Sequence, residues 1–383
     1  MQLKKVLWLP SWYPSRMDEF DGDFIQRHAR AVSLYCKVDV IHVVKSKTES
    51  GVEEKITGDL TEKIIYYRPF ETGIALLDRF LSHQKYKKLY RSAITDHINK
   101  NGKPGCIHVH VAMKAGLLAL WANRKWNIPF IVTEHWTGYL SEADTGIKDM
   151  SSLYRRYLQQ ILEKAKLVTV VSDHLGKALQ RSFGRIEYKV IPNVVDINTF
   201  FPADKNTHDK FQLIHVSNMS YQKNVEGILE ALHLLKKETP AFEMQVYGPV
   251  KESLQQLISV LGLQGNVFTR GEVPQAVLAK TMRGADALIL YSRFETFGCV
   301  IIEANACGLP VITSDIPVLH ELVEENVNGL FAKADDPAAL ANTIAGMMNA
   351  GMKFDHHRIA ISTASKYNYA VTGQRFAAVY DNL

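Results

Sequence analysis

The chain has 383 residues, of which 46% are hydrophobic and 22% charged, with a net charge of +5 and four cysteines. This composition is typical of an ordinary soluble globular protein, and the length predicts two domains of roughly 190 residues. No apolar run approaches the ~18 residues that a membrane span needs. We interpret the short apolar stretch at residues 6–9 as a buried strand rather than a signal peptide. The cysteines lack metal-ligand spacing, so we predict buried free thiols in a reducing cytoplasm.

Charge is distributed unevenly along the chain. Residues 1–190 contain 30 Lys and Arg against 20 Asp and Glu, a net +10, and the remainder contains 15 against 20, a net −5. A basic N-terminal half predicts an anionic partner, either a phosphorylated acceptor or a membrane surface. The segment 76–93, LLDRFLSHQKYKKLYRSA, mixes large apolar and basic residues. It fits an interfacial membrane helix, and equally a helix packed on its own domain with a solvated basic face.

Apolar strand patterns alternate with helical patterns through both halves of the chain. In the first half the predicted strands are residues 6–9, 38–44, 64–67, 107–109, 130–133, 167–171 and 189–191, with helices such as 24–35 and 114–126. In the second half they are residues 212–216, 244–247, 267–269, 287–291 and 310–313, with helices such as 225–237 and 252–261. This alternation predicts two α/β domains, each built on a doubly wound parallel sheet.

The string YSRFETFGCVIIEANACGLPVIT at residues 291–313 carries the strongest functional signal. It places Glu295 and Glu303 eight positions apart, around the turn Thr296, Phe297, Gly298 and the start of a helix. The backbone N–H groups of such a turn lie at the positive end of the helix, where an anion is favoured. Gly298 and Glu303 are separated by about 7.5 Å of helix rise, similar to the length of a diphosphate. The pattern suits a nucleotide-sugar whose sugar and ribose hydroxyls each bind one carboxylate.

The whole string E-T-F-G…E-A-N-A-C-G-L-P-V resembles the signature of the retaining glycosyltransferases of family 4. Their GT-B fold sets two Rossmann-like domains face to face across a cleft. The resemblance implies an acceptor-side domain of residues 1–190 plus 366–383, since the tail 367–380 is similar to the family's crossover helix. Residues 191–365 then form the nucleotide-sugar-binding domain. Glu295 is implied to bind the sugar, Glu303 the ribose, and the turn 296–298 the donor phosphates.

A second element, LIHVSNMSYQKN at residues 213–224, is similar to the family segment that binds the donor diphosphate. Lys223 falls on the position of the family's lysine. Asn218 stands where the family has arginine, and Asn can donate a hydrogen bond but brings no charge or bidentate fork. The positive charge that this arginine brings would then come from Lys223 with the helix amides, or from another cation such as Arg293 or Lys251.

Other strand ends also resemble parts of the family's site. The stretch IPFIVTEHWTGYL at residues 128–140 ends a strand at Glu134 and His135. His135 is implied to hydrogen-bond the 6-hydroxyl of the donor sugar, and Glu134 to brace the loop. Gly248 and Arg270 end two further strands and are implied to line the nucleobase pocket, largely through backbone groups.

The loop PSWYPSRMDEFDGDFIQRHARAV is similar to the one that closes the acceptor side of the cleft in the family. Gly22 permits close approach of the backbone to a ligand, and Asp23 and Phe24 lie on the acceptor side. Asp23 is equally well placed to be a helix N-cap. Elsewhere, His108 and His110 alternate along a strand, but no third metal ligand is evident, so we predict a structural role for both.

The resemblance implies transfer of a hexose from a nucleoside diphosphate, UDP rather than GDP, to a hydroxyl of a glycan or lipid-linked acceptor. Anomeric configuration is retained, and His135, Glu295 and Lys223 are the predicted catalytic residues. We expect no metal, no other cofactor and no nucleic acid partner, and a cytoplasmic location with optional peripheral contact at the inner membrane face. Three alternatives stay open: a UDP-sugar 2-epimerase, a phosphorylase with a pyridoxal lysine, and a non-catalytic nucleotide-sugar-binding subunit.

Overall fold

The chain divides into two compact units. The computed structural model describes residues 3–203, 209–349 and 354–383. Unit 1 consists of Met1–Tyr139, Thr145–Val194 and Tyr369–Leu383, and unit 2 of Leu140–Asp144 and Val195–Asn368. The division after Val194 lies close to the boundary at residues 190 and 191 that the sequence predicts.

Unit 1 is built on one sheet with helices packed against it. Its strands are β1 (Lys5–Pro10), β2 (Lys37–Lys45), β3 (Gly51–Thr57), β4 (Leu60–Tyr67), β5 (Cys106–His110), β6 (Phe130–Glu134), β7 (Val168–Val170) and β8 (Tyr188–Val190). Its first helices are α1 (Asp23–Val32), α2 (Ala75–Asn101), α3 (Ala115–Trp126), α4 (Ser152–Lys164) and α5 (Asp173–Phe183). The strand order is β3-β4-β2-β1-β5-β6-β7-β8. The chain therefore reverses its direction across the sheet between β1 and β5, which is where open α/β sheets bind ligands.

One edge of this sheet departs from the predicted parallel arrangement. β3 pairs antiparallel with β4, whereas the other described pairings in the sheet are parallel. The sequence missed β3 because GVEEKIT is an exposed, charged edge strand without a buried apolar run. Gly58 turns the hairpin at a φ of +59°, a conformation that glycine adopts readily.

Unit 2 repeats the architecture with a smaller sheet. Its strands are β9 (Phe211–Val216), β10 (Phe242–Tyr247), β11 (Val267–Gly271), β12 (Ala287–Leu290), β13 (Val311–Ser314) and β14 (Gly329–Ala332). Its helices are α6 (Val225–Glu238), α7 (Glu252–Val260), α8 (Gln275–Gly284), α9 (Cys299–Ala306), α10 (Pro337–Asn349) and α11 (His356–Tyr367). The order is β11-β10-β9-β12-β13-β14, all parallel, so β9 and β12 flank the reversal point. β14, only four residues long, was missing from the predicted strands.

The final helix, α12 (Tyr369–Asp381), belongs to unit 1 and packs against α1. A Cβ added at Gly373 would lie 2.1 Å from the carbonyl oxygen of Ala31, so glycine permits this close helix contact. Tyr380 of α12 is fully buried and its hydroxyl lies 2.7 Å from Nδ1 of His108 on β5. Within the described residues, no helix is long and apolar enough to cross a bilayer.

Candidate functional site

The reversal point of the unit 2 sheet brings two predicted segments together. β9 and β12 are hydrogen-bonded neighbours, with Ile214 paired to Leu288. Because both strands run in the same direction, the loops that follow them emerge at the same sheet edge. The loop after β9 contains a short 3-10 helix at Tyr221–Lys223, and the loop after β12 leads to Gly298 and α9.

Glu295 lies at the centre of this edge, with its side chain almost entirely buried. Its Oε1 accepts hydrogen bonds from Nζ of Lys223 and, at 2.8 Å, from Oγ of Ser292, and its Oε2 accepts one at 3.0 Å from Nε2 of Gln222. A buried carboxylate is costly unless it is paired and hydrogen-bonded, and here both conditions are met. The structure therefore brings the predicted residues Glu295 and Lys223 into direct contact.

The sequence missed Gln222 and Ser292 as parts of this cluster. Both lie inside strings that resemble the family, one position before Lys223 and three before Glu295. Their neutral side chains gave no electrostatic signal, and contact across 73 positions of sequence follows only from the pairing of β9 with β12. Adjacency to Lys223 was the available signal.

The turn before α9 has the predicted geometry of a helix start. Gly298 is the N-cap residue and has a φ of +98°, in the left-handed region that favours glycine. Phe297 is buried, with its ring centroid 6.1 Å from that of Tyr367. Glu303, on α9 itself, is 5% exposed. Thr296 lies between Glu295 and Phe297 and is half-buried.

The loop after β9 is shaped by its own side chains. Oδ1 of Asn218 accepts a hydrogen bond of 3.2 Å from the N–H of Ser220 and so stabilises this turn. An arginine side chain has no acceptor and could not make this bond. A Cβ at Gly248 would lie 1.9 Å from the carbonyl oxygen of Ser217, so only glycine allows the end of β10 to pass this loop. Lys251 donates to the carbonyl oxygen of Met219 at 2.5 Å.

The two arginines considered for the site already have partners within unit 2. The guanidinium of Arg293 lies 4.2 Å from the ring centroid of Tyr221 and 3.5 Å from a carboxylate oxygen of Asp335. Arg270 lies on β11, the edge strand, where it is exposed and donates to Oε1 of Gln245 at 2.5 Å. β10 lies between β11 and β9 in this sheet, and the role of Arg270 in a nucleobase pocket stays a prediction.

In unit 1, His135 directly follows β6 and is 5% exposed. Its ring stacks with that of His110, its Nε2 lies 3.3 Å from Nδ1 of His110, and the ring of Phe24 lies at 4.8 Å. Burial, followed by the nearby imidazoles of His28 and His108, holds the pKa of His135 well below its ordinary value. The imidazole is therefore neutral at pH 7 and suited to bonding a hydroxyl.

Glu134 ends β6 and is fully buried. Its Oε1 accepts hydrogen bonds of 2.8 Å from the N–H of Ala112 and from the hydroxyl of Tyr139, so it braces the loop after β6, as predicted, and also the loop after β5. Burial raises its pKa to about 7, although these hydrogen bonds act in the opposite direction.

Three histidines form a cluster that the sequence did not reveal. Ring nitrogens of His28, His110 and His135 lie within 4.8 Å of one another, and all three residues are buried. His108, by contrast, contacts the hydroxyls of Tyr380 and Thr133, at 2.7 and 2.6 Å, and has the structural role predicted for it. His28 on α1 and His135 after β6 supply the additional ring nitrogens that the sequence did not show beside His110. Three neutral imidazoles are a ligand set that Zn²⁺ accepts, so metal independence stays a prediction.

The loop after β1 leads into α1, whose N-cap is Gly22 and not Asp23, the residue that the sequence offered. Gly22 is the N-cap of α1, at a φ of +67°, and a Cβ there would lie 2.6 Å from the backbone of Trp12. Asp23 is not the cap but the first residue of the helix, where its carboxylate pairs with Arg27. Asp21, Gly22 and Asp23 also form an Asp-x-Asp sequence, yet Asp23 is already neutralised by Arg27.

Models of known protein families match both halves of the chain. The model of the family described as "Glycosyl transferases group 1" matches residues 196–365, and that of "Glycosyltransferase Family 4" matches residues 57–199. A D-inositol 3-phosphate glycosyltransferase from Frankia alni is 28% identical over 263 residues, which cover 62% of this chain and 64% of that relative, less than two thirds of its length.

Solved structures resemble the whole chain. A sucrose-phosphate synthase from Thermosynechococcus elongatus has a TM-score of 0.79 at 17% identity, and the match covers 99% of both chains. The Anabaena protein Alr3699/HepE, solved in complex with UDP-glucose, has a TM-score of 0.73 at 19% identity, covering 99% of this chain and 100% of that one. Since the two family models together span residues 57–365, the chain belongs to glycosyltransferase family 4, among the glycosyl transferases group 1, and it has the GT-B fold.

Proposed function

We propose that this protein transfers a hexose from a UDP-sugar to a hydroxyl of a glycan or lipid-linked acceptor, with retention of configuration at the anomeric carbon. The observation that carries the proposal is the buried Glu295, held by Lys223, Gln222 and Ser292 where β9 and β12 end beside the start of α9. A buried acid with a lysine on one oxygen and neutral donors around it is suited to a ligand that combines hydroxyls with phosphates.

The Lys223–Glu295 pair would be rearranged by the donor. Negative charge grows on the leaving diphosphate in the transition state, and its stabilisation is the main electrostatic task. Lys223 and the N–H groups at the start of α9 supply positive charge for this purpose. Glu295 would then exchange part of its hydrogen bonding for the sugar 3- and 4-hydroxyls, and Glu303 would bind the ribose.

The reaction would proceed on one face of the sugar. The acceptor oxygen bonds to the anomeric carbon as the bond from that carbon to the phosphate oxygen breaks. The acceptor proton passes to the departing phosphate oxygen, so no protein base and no metal ion is needed. His135 would bond a sugar hydroxyl through its neutral ring, which burial keeps uncharged.

Two relatives support the choice of substrates. Alr3699/HepE was solved with UDP-glucose, and the Frankia alni relative is named for an inositol phosphate acceptor. We propose UDP as the carrier and a role in polysaccharide synthesis at the cytoplasmic side of the membrane.

Product analysis with the donor alone and with acceptors separates this function from its competitors. We expect free UDP and a glycosylated acceptor of unchanged anomeric configuration, detected by NMR, in the presence of a glycan or lipid-linked acceptor. Conversion of the UDP-sugar to its 2-epimer without any acceptor would identify an epimerase instead. Donor binding without turnover across a broad acceptor panel would identify a binding subunit.

Paired variants test the site assignment. Lys223→Ala and Glu303→Ala should each lower turnover at least about a hundredfold, since each removes a group that binds the donor. Lys237→Ala and Glu230→Ala, two exposed positions on α6, are matched controls and should leave turnover unchanged. Unchanged turnover in both site variants would refute the assignment.

A further inference from the structure

A large cavity lies at the reversal point of the unit 1 sheet. Its volume is about 1000 Å³, and its lining comes from unit 1 alone. Ser11 and Trp12 contribute from the loop after β1, Lys45 from the end of β2, and Lys114 from the loop after β5. We call this cavity the basic groove. It occupies the position at which parallel α/β sheets bind ligands, and none of the donor-site residues described in unit 2 lines it.

The groove is strongly cationic. Its Lys and Arg side chains are Lys45, Arg79, Lys87, Arg91, Lys114 and Arg124. Across the described part of the chain, none of these six forms an ion pair with a carboxylate. Such a concentration of uncompensated charge raises the local concentration of anions.

The two acids that line the groove, Asp21 and Asp78, offset only part of this charge, and six cations against two carboxylates leave a formal net charge of +4. Asp78 accepts hydrogen bonds from the N–H and hydroxyl of Thr72, at 2.6 and 2.7 Å. Burial, followed by the charge of Asp18, raises the pKa of Asp21 to about 6. Lys114 adds to the burial that lowers the pKa values of His42 and His83, so its charge is felt on both sides of the groove. The groove therefore presents a positive surface to a ligand.

An apolar rim borders the groove at the start of α2. Ile74, Leu76 and Phe80 are 62%, 79% and 57% exposed, and their neighbours Ala75 and Arg79 line the groove. Exposed large apolar residues that are clustered beside basic ones are typical of contact with a membrane interface. A ligand with a phosphate group on an apolar chain would match both the groove and its rim.

We propose that the basic groove binds the phosphate or diphosphate group of a lipid-linked acceptor, while the rim at residues 74–80 contacts the bilayer that holds its apolar chain. This inference rests on the proposed function and narrows its acceptor to an anionic amphiphile. Arg91, whose guanidinium lies 5.2 Å from the ring centroid of Trp121, and Lys114 are the cations assigned to the phosphate.

Vesicle co-sedimentation with the full chain tests the inference. The probe is phosphatidylcholine vesicles that contain a polyprenyl diphosphate, compared with pure phosphatidylcholine vesicles and with vesicles of equal charge made with phosphatidylserine. We expect binding to the diphosphate vesicles at least about tenfold tighter than to either of the others, because charge-assisted hydrogen bonds to the diphosphate add to surface attraction. If the protein bound the phosphatidylserine vesicles as tightly as the diphosphate vesicles, the groove would contact anionic membranes in general and the inference would be overturned.

Two double variants separate the groove from its rim. Arg91→Gln with Lys114→Gln should weaken binding to the diphosphate vesicles about tenfold or more. Leu76→Ser with Phe80→Ser should weaken binding to a similar degree while leaving the weaker binding of soluble pyrophosphate intact. Lys55→Gln with Arg181→Gln, at exposed positions outside the groove, removes the same charge and should have little effect. Equal losses in the control and in the Arg91/Lys114 variant would contradict a specific site.

Calorimetry of UDP-glucose with the same samples distinguishes the two levels of the account. If the protein binds UDP-glucose but does not bind the diphosphate vesicles, this inference is overturned and the proposed function still stands. Failure of the wild-type protein to bind any nucleotide-sugar would instead remove the proposed function on which it rests.

Discussion

The two units place polar groups at the same point of similar sheets, yet they keep them stable by different means. Unit 1 buries neutral imidazoles: burial holds the pKa values of His28 and His42 at about 4 and those of His108, His110 and His135 well below the ordinary value. Unit 2 buries a single imidazole of this kind, His215, whose pKa burial lowers to about 4, and adds a charge pair, Lys223 with Glu295, supported by neutral donors. The difference fits their proposed tasks, since a diphosphate requires charge whereas a sugar hydroxyl requires a neutral partner.

The largest expected effect of this difference is selective acid unfolding of unit 1. A histidine whose pKa is lowered by folding stabilises the fold above its unfolded pKa of 6.5, and this stability is lost as the pH falls toward the folded value. Below pH 4, protonation of His28 and of His42 should each lower the free energy of unfolding of unit 1 by about 3 kcal/mol. All five tryptophans, Trp8, Trp12, Trp121, Trp126 and Trp136, belong to unit 1. Tryptophan fluorescence should therefore report unfolding between pH 6.5 and 4 before the helical circular dichroism is fully lost. Loss of most helix signal ahead of the fluorescence change would contradict the comparison.

Breaking the charge pair should have the next largest effect, confined to unit 2. Glu295→Ala leaves Lys223 partly buried without its carboxylate, which we expect to destabilise unit 2 by about 3 kcal/mol and to lower turnover about a thousandfold. Urea unfolding followed by circular dichroism measures the first effect. The tryptophan signal should hardly change, because its reporters lie in unit 1. Glu243→Ala is a suitable control, since its contact with Lys210 is exposed.

Glu134 offers an opposite pH dependence inside unit 1. Its folded pKa of about 7 exceeds the unfolded value of 4.5, so its contribution is full below pH 4.5 and lost as the pH rises to about 7. The pKa difference corresponds to about 3 kcal/mol. Glu134→Gln keeps an acceptor for Ala112 and Tyr139 but cannot titrate. The free energy of unfolding of this variant should therefore fall less between pH 4.5 and 7 than that of the wild type, by slightly less than about 3 kcal/mol. An unchanged slope between pH 4.5 and 7 in urea titrations would disprove the assignment.

The smallest effect is expected at Gly248, where the backbone rather than a charge shapes the site. Gly248→Ala would place a Cβ against Ser217 at a φ of +139°, with an expected cost of about 2 kcal/mol and a weaker donor affinity. Gly346→Ala, on α10 with open space around it, is the matched control and should be neutral or stabilising. Thermal unfolding of both variants measures the difference.

Much of the fold could be predicted from sequence, because buried parallel strands such as residues 6–9 and 287–291 form continuous apolar runs. The charged edge strand β3 lacks that signal, and β14, with the sequence GLFA, offers only three apolar side chains after a glycine. The sequence also indicated Glu295 and Lys223, through a long ordered resemblance. It did not indicate that they contact each other, or that His28 and His135 lie close to His110, because these contacts depend on which strands are neighbours and on how α1 packs.

The central claim, that unit 2 binds the two ends of a UDP-sugar through different acids, is tested most directly by calorimetry with UDP and with UDP-glucose. We expect Glu303→Ala and Lys223→Ala to weaken the binding of both ligands alike, by about tenfold or more. Glu295→Gln should instead weaken UDP-glucose while UDP binds as in the wild type. Equal affinities of all three variants and the wild type for both ligands would contradict the account.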